Sequence, residues 1–293
     1  AASSLHICQP ALSLQIGKLE KEVGLLIFDR TKSPIKPTAE GLAFLAKAHE
    51  LVHDAEQLLE FSKSTSTSLS GRMKIGIIPT LAPFLVPLFA YTFQDKYANM
   101  GLDINEMITE KVVNGVKEGS LDVGIISTPI DIRGIDTIPL FYEKFFLYAS
   151  SIIPESQRTL SAVDYSKLWL LEEGNCFRDQ INDFCDVNKM RENKDFIYRS
   201  NSIDALIRIV DTKGGLTILP ELTTLILNED QEDRIEPIGE PRAKAREVSI
   251  IKRKTTNKES MIAVLEEHIK QSVPGNMLTS DNLEVVDPNF HLD

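Results

Sequence analysis

Two of the chain's three cysteines, Cys176 and Cys185, stand nine residues apart in the stretch NCFRDQINDFC. A thiol can serve as nucleophile, redox partner or metal ligand, and each role leaves its own pattern. The sequence has no CxxC pair and no clustered His/Cys set, so no metal site is expected. If the stretch is one α-helix, nine steps of 100° place the thiols on opposite faces, about 13.5 Å apart along the axis. A disulfide needs Cα atoms within about 7 Å. The pair is therefore either idle, as two small buried hydrophobes, or joined only when the segment refolds.

Local chemistry bears on the second option. Gly174 and Asn175 read as a turn that leaves Cys176 at a helix N-terminus, where the helix dipole favours an anionic thiolate. Arg178 adds positive charge nearby, and Glu172 and Glu173 oppose it. A thiolate oxidised to a sulfenic acid condenses with a second thiol, the part open to Cys185. Closing so short a loop costs little chain entropy. The cost lies in breaking the helix and uncovering Phe177, Ile181 or Phe184.

The elements around the pair come from a chain of 293 residues, long enough for two or three domains. Hydrophobic content of 42% with 26% charged residues reads as globular, and the longest apolar runs fall far short of the ~20 residues that span a bilayer. Three cysteines do not make a disulfide scaffold, which points to a reducing, cytoplasmic setting. The net charge of −11 argues against broad nucleic-acid affinity, but it is uneven. Up to residue 36 the bases Lys18, Lys21, Arg30, Lys32 and Lys36 outnumber the acids Glu20, Glu22 and Asp29.

In QPALSLQIGKLEKEVG, Leu12, Ile16, Leu19 and Val23 form one helical stripe, with Pro10 suited to the first turn and Gly24 to the stop. With the shorter helical end before it, this spells a helix-turn-helix, and LIFDRTKSPIKPT has the look of a β-wing. Thr38 begins a longer helix in which Leu45, Ala48, Val52, Ala55 and Leu59 recur at coiled-coil spacing, ending at the linker SKSTSTSLSG. From Met73 strands and helices alternate as βαβ units of a parallel sheet. MKIGII, LDINEMI and LDVGIIS form a first set. LWLLEE, FIYRS and GLTILP form a second, and REVSIIKRK returns to the first. Residues from Pro274 carry four acids, no bases and no periodicity, and read as a loosely held arm.

The head pattern CQPALSLQIGKLEKEVGLLIFDR…PIKPTAEG resembles the LysR-type transcriptional regulators. The resemblance implies an α/β chain in four parts. A winged helix-turn-helix head spans 1–37, with its first helix missing here, and a linker and dimerisation helix spans 38–71. A two-lobed, periplasmic-binding-protein-like regulatory domain spans 72–273, with lobe I at 72–142 and 246–273 and lobe II at 143–245. An acidic tail covers 274–293. It also implies homo-oligomers, a dimer of dimers, on inverted-repeat promoter DNA, with RNA polymerase as a plausible further partner and no membrane association. No cofactor and no catalytic turnover are implied.

IGIIPTLAPFLVP, LLEEGNCFRDQINDFC and GGLTILPEL together resemble the OxyR-like, hydrogen-peroxide-sensing branch of that family, the CxRDQ…FC arrangement being the discriminating part. That resemblance makes Cys176 the peroxide-reactive thiol and Cys185 the resolving one, joined in an intramolecular disulfide that alters DNA binding. Thr80, Thr109, Asn175, Arg178, Asp179 and Arg246 fall at peroxide-binding or thiolate-supporting positions. Asn175 departs from the branch, which commonly has His there. For DNA, Gln9, Pro10, Ser13 and Gln15 are base-reading candidates, and Lys18, Arg30, Lys32 and Lys36 phosphate candidates. Cys8, before the recognition helix, is expected to be structural. The alternative is a LysR-type regulator that answers to a small metabolite in the interlobe cleft, with the cysteines silent.

Overall fold

The computed structural model describes residues 7–32, 34–63, 69–154, 164, 167–172, 176–185, 200–239 and 241–290, without the side chains of 49–50, 53–54, 56–63 and 184. The chain divides into two compact units, Ala1–Ser62 and Lys63–Asp293.

In the first unit, α1 (Gln9–Val23) starts on Pro10 and ends on Gly24, whose left-handed backbone (φ 69°) returns its N–H to the Glu20 carbonyl. A two-stranded antiparallel wing, β1 (Phe28–Asp29) and β2 (Lys36–Pro37), follows. The buried Glu20 carboxylate pins the wing to α1: Oε1 accepts the Ile27 and Phe28 N–H groups, and Oε2 takes Arg30 at 2.8 Å. Thr38 caps α2 (Ala39–Lys63) by accepting the Gly41 N–H, and its own hydroxyl donates to the Leu26 carbonyl. Gly41 is required there, because a Cβ would stand 2.0 Å from the Ile27 carbonyl oxygen. The helix therefore starts where the sequence places it. Among its described apolar side chains, Leu45 is half-buried while Leu42, Leu51 and Val52 are exposed; that of Leu59 lies outside the described residues.

The second unit begins with β3 (Gly71–Ile77), α3 (Ala82–Lys96), β4 (Met100–Glu106), α4 (Thr109–Glu118) and β5 (Val123–Thr128). The long β6 (Ile135–Ala149) follows, then α5 (Cys176–Phe184), α6 (Ile203–Lys213), β7 (Leu216–Pro220), α7 (Glu221–Thr224), α8 (Glu229–Glu232), β8 (Ile235–Pro237), β9 (Ala243–Arg253), α9 (Glu259–Ser272) and β10 (Leu283–Val285). Among the described strands β3–β4, β3–β5 and β9–β10 pair in parallel, whereas β5–β9, β6–β9, β6–β7 and β6–β8 are antiparallel. The expected all-parallel sheet is thus a mixed one. The reason is β9, which comes back late in the chain between β5 and β6, against the direction of both.

β6 is the strand that serves two groups of partners. It pairs with β9 from Ile135 to Lys144, and with β7 and β8 from Phe145 to Ala149. One set of apolar residues fills both regions, from Met73, Ile75 and Phe89 to Phe145, Leu216 and Leu219. Of the second set of expected strands, the described part of LWLLEE forms an isolated bridge, Leu168 to Leu216, and a bond from the Glu172 N–H to the Ser200 carbonyl at 3.0 Å, while the rest of FIYRS lies outside the described residues.

The segment from Pro274 is not a loose arm. Met277 is buried in a 3-10 turn, β10 pairs with Ala243–Ala245, and Val286 packs against the core. Too few of its residues are apolar to show periodicity, yet Met277, Val286 and Phe290 suffice to anchor it.

Candidate functional site

α5 begins on Cys176 and presents Phe177, Gln180 and Ile181 inward as its buried face. The Cys185 N–H closes its last turn on the Ile181 carbonyl at 2.9 Å. Both cysteines are reduced and buried, each 3% exposed, at the two ends of one helix. At about 1.5 Å per residue they stand roughly 13.5 Å apart along its axis.

The Cys176 thiol donates to the hydroxyl of Thr109, the first residue of α4, at 3.1 Å. Burial pushes the Cys176 pKa up. The Thr109 hydrogen bond pulls it down, the Asp179 carboxylate raises it, and the Arg246 charge lowers it. Raised is the net direction, so the surroundings as a whole disfavour the thiolate that the helix N-terminus alone would favour. Asp179 acts against the anion rather than for it. Burial alone pushes Cys185 up to about 12.

Arg246, on β9, is fully buried and does not turn its hydrogen bonds on the sulfur. Its Nε donates to Glu143 Oε1 on β6 at 2.7 Å, Nη1 to the Thr80 hydroxyl at 2.9 Å, and Nη2 to the Thr80 carbonyl at 3.3 Å. The guanidinium lies 5.1 Å from the Phe177 ring centroid, one residue from Cys176. Glu143 is also fully buried, and its Oε2 accepts the Leu222 N–H at the start of α7. Burial raises the Glu143 carboxyl's pKa and Arg246 opposes the rise. Gln180 is fully buried, donating to the Val286 carbonyl at 2.7 Å and accepting the Ser127 hydroxyl of β5 at 3.3 Å. Arg178 donates to the Leu171 carbonyl at 2.8 Å.

The structure therefore gathers Cys176, Thr109, Thr80 and Arg246 around the start of α5. Asn175 lies outside the described residues. Glu143, Gln180 and Ser127 were not singled out in the sequence. Glu143 had a readable signal, a lone acid inside the apolar run LFYEKFFLYA, which demands a buried partner. Gln180 follows Cys176 by four, which puts both on one helix face.

In the first unit Gln9, Pro10, Ser13, Gln15, Lys18 and Lys36 are exposed. At 100° per residue Gln9, Pro10 and Ser13 share one side of α1, and Gln15 and Lys18 fall roughly on the opposite one. Arg30 is engaged by Glu20, and Lys32 by Asp29 at 3.3 Å, so neither is the free cation expected for a phosphate. Cys8 is exposed at the cap position of α1, not packed as a structural residue. Among the described residues no cluster of His, Cys, Asp or Glu could hold a metal ion, and no helix is long and apolar enough to cross a membrane.

Comparison with known proteins adds to this geometry. Residues 66–274 match the LysR substrate binding domain, and residues 1–42 the bacterial regulatory helix-turn-helix protein, lysR family. The chain is 29% identical over 232 residues to the hydrogen peroxide-inducible genes activator of Haemophilus influenzae, covering 78% of this chain and 76% of that protein. It is equally identical, over 275 residues, to the HTH-type transcriptional regulator EstR of Acinetobacter baylyi, covering 92% and 90%. A full-length OxyR variant from Pseudomonas aeruginosa superposes with a TM-score of 0.73 at 28% identity, over 93% of this chain and 91% of that one.

Proposed function

Because the chain belongs to the LysR family of bacterial helix-turn-helix regulators, we propose that it is a transcriptional regulator whose signal is hydrogen peroxide, read at Cys176. Cys176 gives up its thiol proton and the thiolate attacks one peroxide oxygen, breaking the O–O bond to give Cys176–SOH, while the other oxygen leaves as hydroxide and takes up that proton as water. The Cys185 thiol then displaces hydroxide from that sulfur, closing Cys176–Cys185 with loss of a second water. Peroxide takes up two electrons and the two thiols supply them. Thr109 and Thr80 offer hydroxyls to the incoming peroxide, and Arg246 supplies positive charge that favours the thiolate. The reaction is stoichiometric, not turnover.

One observation carries this reading: the two buried thiols cap opposite ends of a single helix. A bond between them cannot form without undoing that helix, which turns an oxidation into a change of shape. Through that change the oxidised protein alters its grip on inverted-repeat promoter DNA as a homo-oligomer, a dimer of dimers, with RNA polymerase as the downstream partner in the cytoplasm. Peroxide titration with intact-mass thiol counting is the test. Loss of two hydrogens and a cross-linked peptide spanning 176 and 185 are expected, both absent in Cys176→Ser.

A second reading has its own support. Both thiols are buried, and burial raises the pKa of each. On that reading a small metabolite in the regulatory domain is the signal. Thiols that stay free at low peroxide excess, while a metabolite shifts DNA binding, would decide for it.

A further inference from the structure

The segment 281–290 lies beyond the part of the chain that matches the family's regulatory domain, which ends at residue 274. It is nevertheless fastened at several points. β10 adds three residues in parallel to Ala243–Ala245 of β9, and the Val286 N–H continues the ladder to the Ala245 carbonyl at 2.8 Å. Lys244 pairs with Glu284 on the surface. Val286 and Phe290 add apolar contacts with the core, and further fastenings come from α5. Gln180 Nε2 donates to the Val286 carbonyl at 2.7 Å, and Asn289 Nδ2 donates to both oxygens of the Asp183 carboxylate at 2.9 Å.

Gln180 and Asp183 both fall between Cys176 and Cys185. A disulfide would bring the ends of this helix from about 13.5 Å to within about 7 Å. No helical path between them is that short, so the residues in between must leave their present places. Gln180 and Asp183 would let go of Val286 and Asn289 in the same event. The short ladder with its continuation at Val286, one exposed ion pair and the apolar contacts of Val286 and Phe290 would remain, a weaker hold than the intact set.

We propose that segment 281–290 is a strap that clamps α5 in its reduced form and is released when Cys176 and Cys185 join. The proposal rests on the peroxide reading above. The strap acts on the second step, the attack of Cys185 on Cys176–SOH, because that step requires α5 to unwind. The first step needs only access of peroxide to one sulfur. Release also bares the main-chain edge of β9 at Ala243–Ala245, next in sequence to the buried Arg246.

The experiment uses the full chain, reduced and peroxide-oxidised, beside a chain ending at Ser280 and the milder Asn289→Ala. Amide exchange across 283–286 should rise at least about tenfold on oxidation, which corresponds to losing one charge-assisted hydrogen bond or more. In the reduced state, the shortened chain and Asn289→Ala should both exchange faster across 180–185. Trapped Cys176–SOH should convert to disulfide several-fold faster in both variants, with the rate of sulfenic acid formation unchanged. A disulfide that leaves 283–286 as protected as before would overturn the strap alone. So would reduced variants with unaltered exchange across 180–185. If no disulfide forms in any of the three proteins, the peroxide reading fails and the release fails with it.

Discussion

Arg246 and Glu143 form an ion pair with no exposure to solvent on either side chain, and the pair, not the thiol, takes the guanidinium's Nε hydrogen bond. A charge left alone at this depth is costly, whereas an apolar pair of similar volume is often tolerated. Glu143→Leu should therefore lower stability by about 3–5 kcal/mol in urea unfolding. Adding Arg246→Met should restore much of that loss while slowing peroxide oxidation of Cys176, since a charge that favours the thiolate is gone. A double variant no more stable than the single one would show that the pair's geometry, not its unpaired charge, sets the cost.

The buried thiols predict a falling stability at high pH. Cys185 holds its proton to about pH 12 when folded, against an ordinary 9.0. Above pH 9 the unfolded chain therefore releases a proton that the folded chain keeps, and stability drops through pH 9 to 12. The loss is on the order of 4 kcal/mol at the upper end. Cys185→Ala should flatten that part of the profile in denaturant titrations, and an unchanged slope would remove burial as the cause.

Thr109→Val deletes the acceptor of the Cys176 thiol hydrogen bond, the leading influence that lowers its pKa. The pH at which iodoacetamide labels Cys176 at half-maximal rate should move upward, and peroxide oxidation at pH 7 should slow by about tenfold or less. Thr109→Ser keeps the hydroxyl and should keep most of the rate.

On α2, Val52 is 58% exposed, and Leu42 and Leu51 are exposed as well. Val52→Glu with Leu59→Glu sets like charges across a paired seam, so light scattering should show a smaller oligomer than the unaltered chain. An unchanged mass would take the seam away from this face.

For DNA, Ser13→Ala and Gln9→Ala should relax sequence preference, because both side chains lie exposed on one side of α1. Lys36→Ala should weaken all sequences alike and reduce the slope of log affinity against log salt by about 0.9. Arg30→Ala should instead loosen the wing, as its partner is Glu20. These contrasts can be read by fluorescence anisotropy at two salt concentrations.

Much of this was legible in the sequence because helix ends and strands carry local signals. Pro10, Gly24 and Thr38 each do in the structure what their residue type suits them to do. The order of strands in space was not legible: β9 inserts between β5 and β6 from far along the chain, and no local pattern records that. The site divides the same way. Cys176 stands beside Thr109, two residues that the sequence singles out, but the upward push on the thiol's pKa comes from depth of burial, which composition cannot supply. The partner of Arg246 lies 103 residues away on another strand. Residues 281–290 were misread because their hold is made of main-chain and single side-chain contacts rather than a hydrophobic stripe.

The junction at Thr38 has a mechanical consequence. One hydroxyl both caps α2 and grips the Leu26 carbonyl, and Gly41 lets the Ile27 carbonyl sit against the helix. Wing and helix are thus welded, so α2 cannot roll about its own axis without swinging the wing through the same angle. If two such helices paired as proposed, the assembly would work as a calliper: the roll of the helices would set the opening between the two heads, and a quarter-turn slip would be read out as a different distance along the duplex.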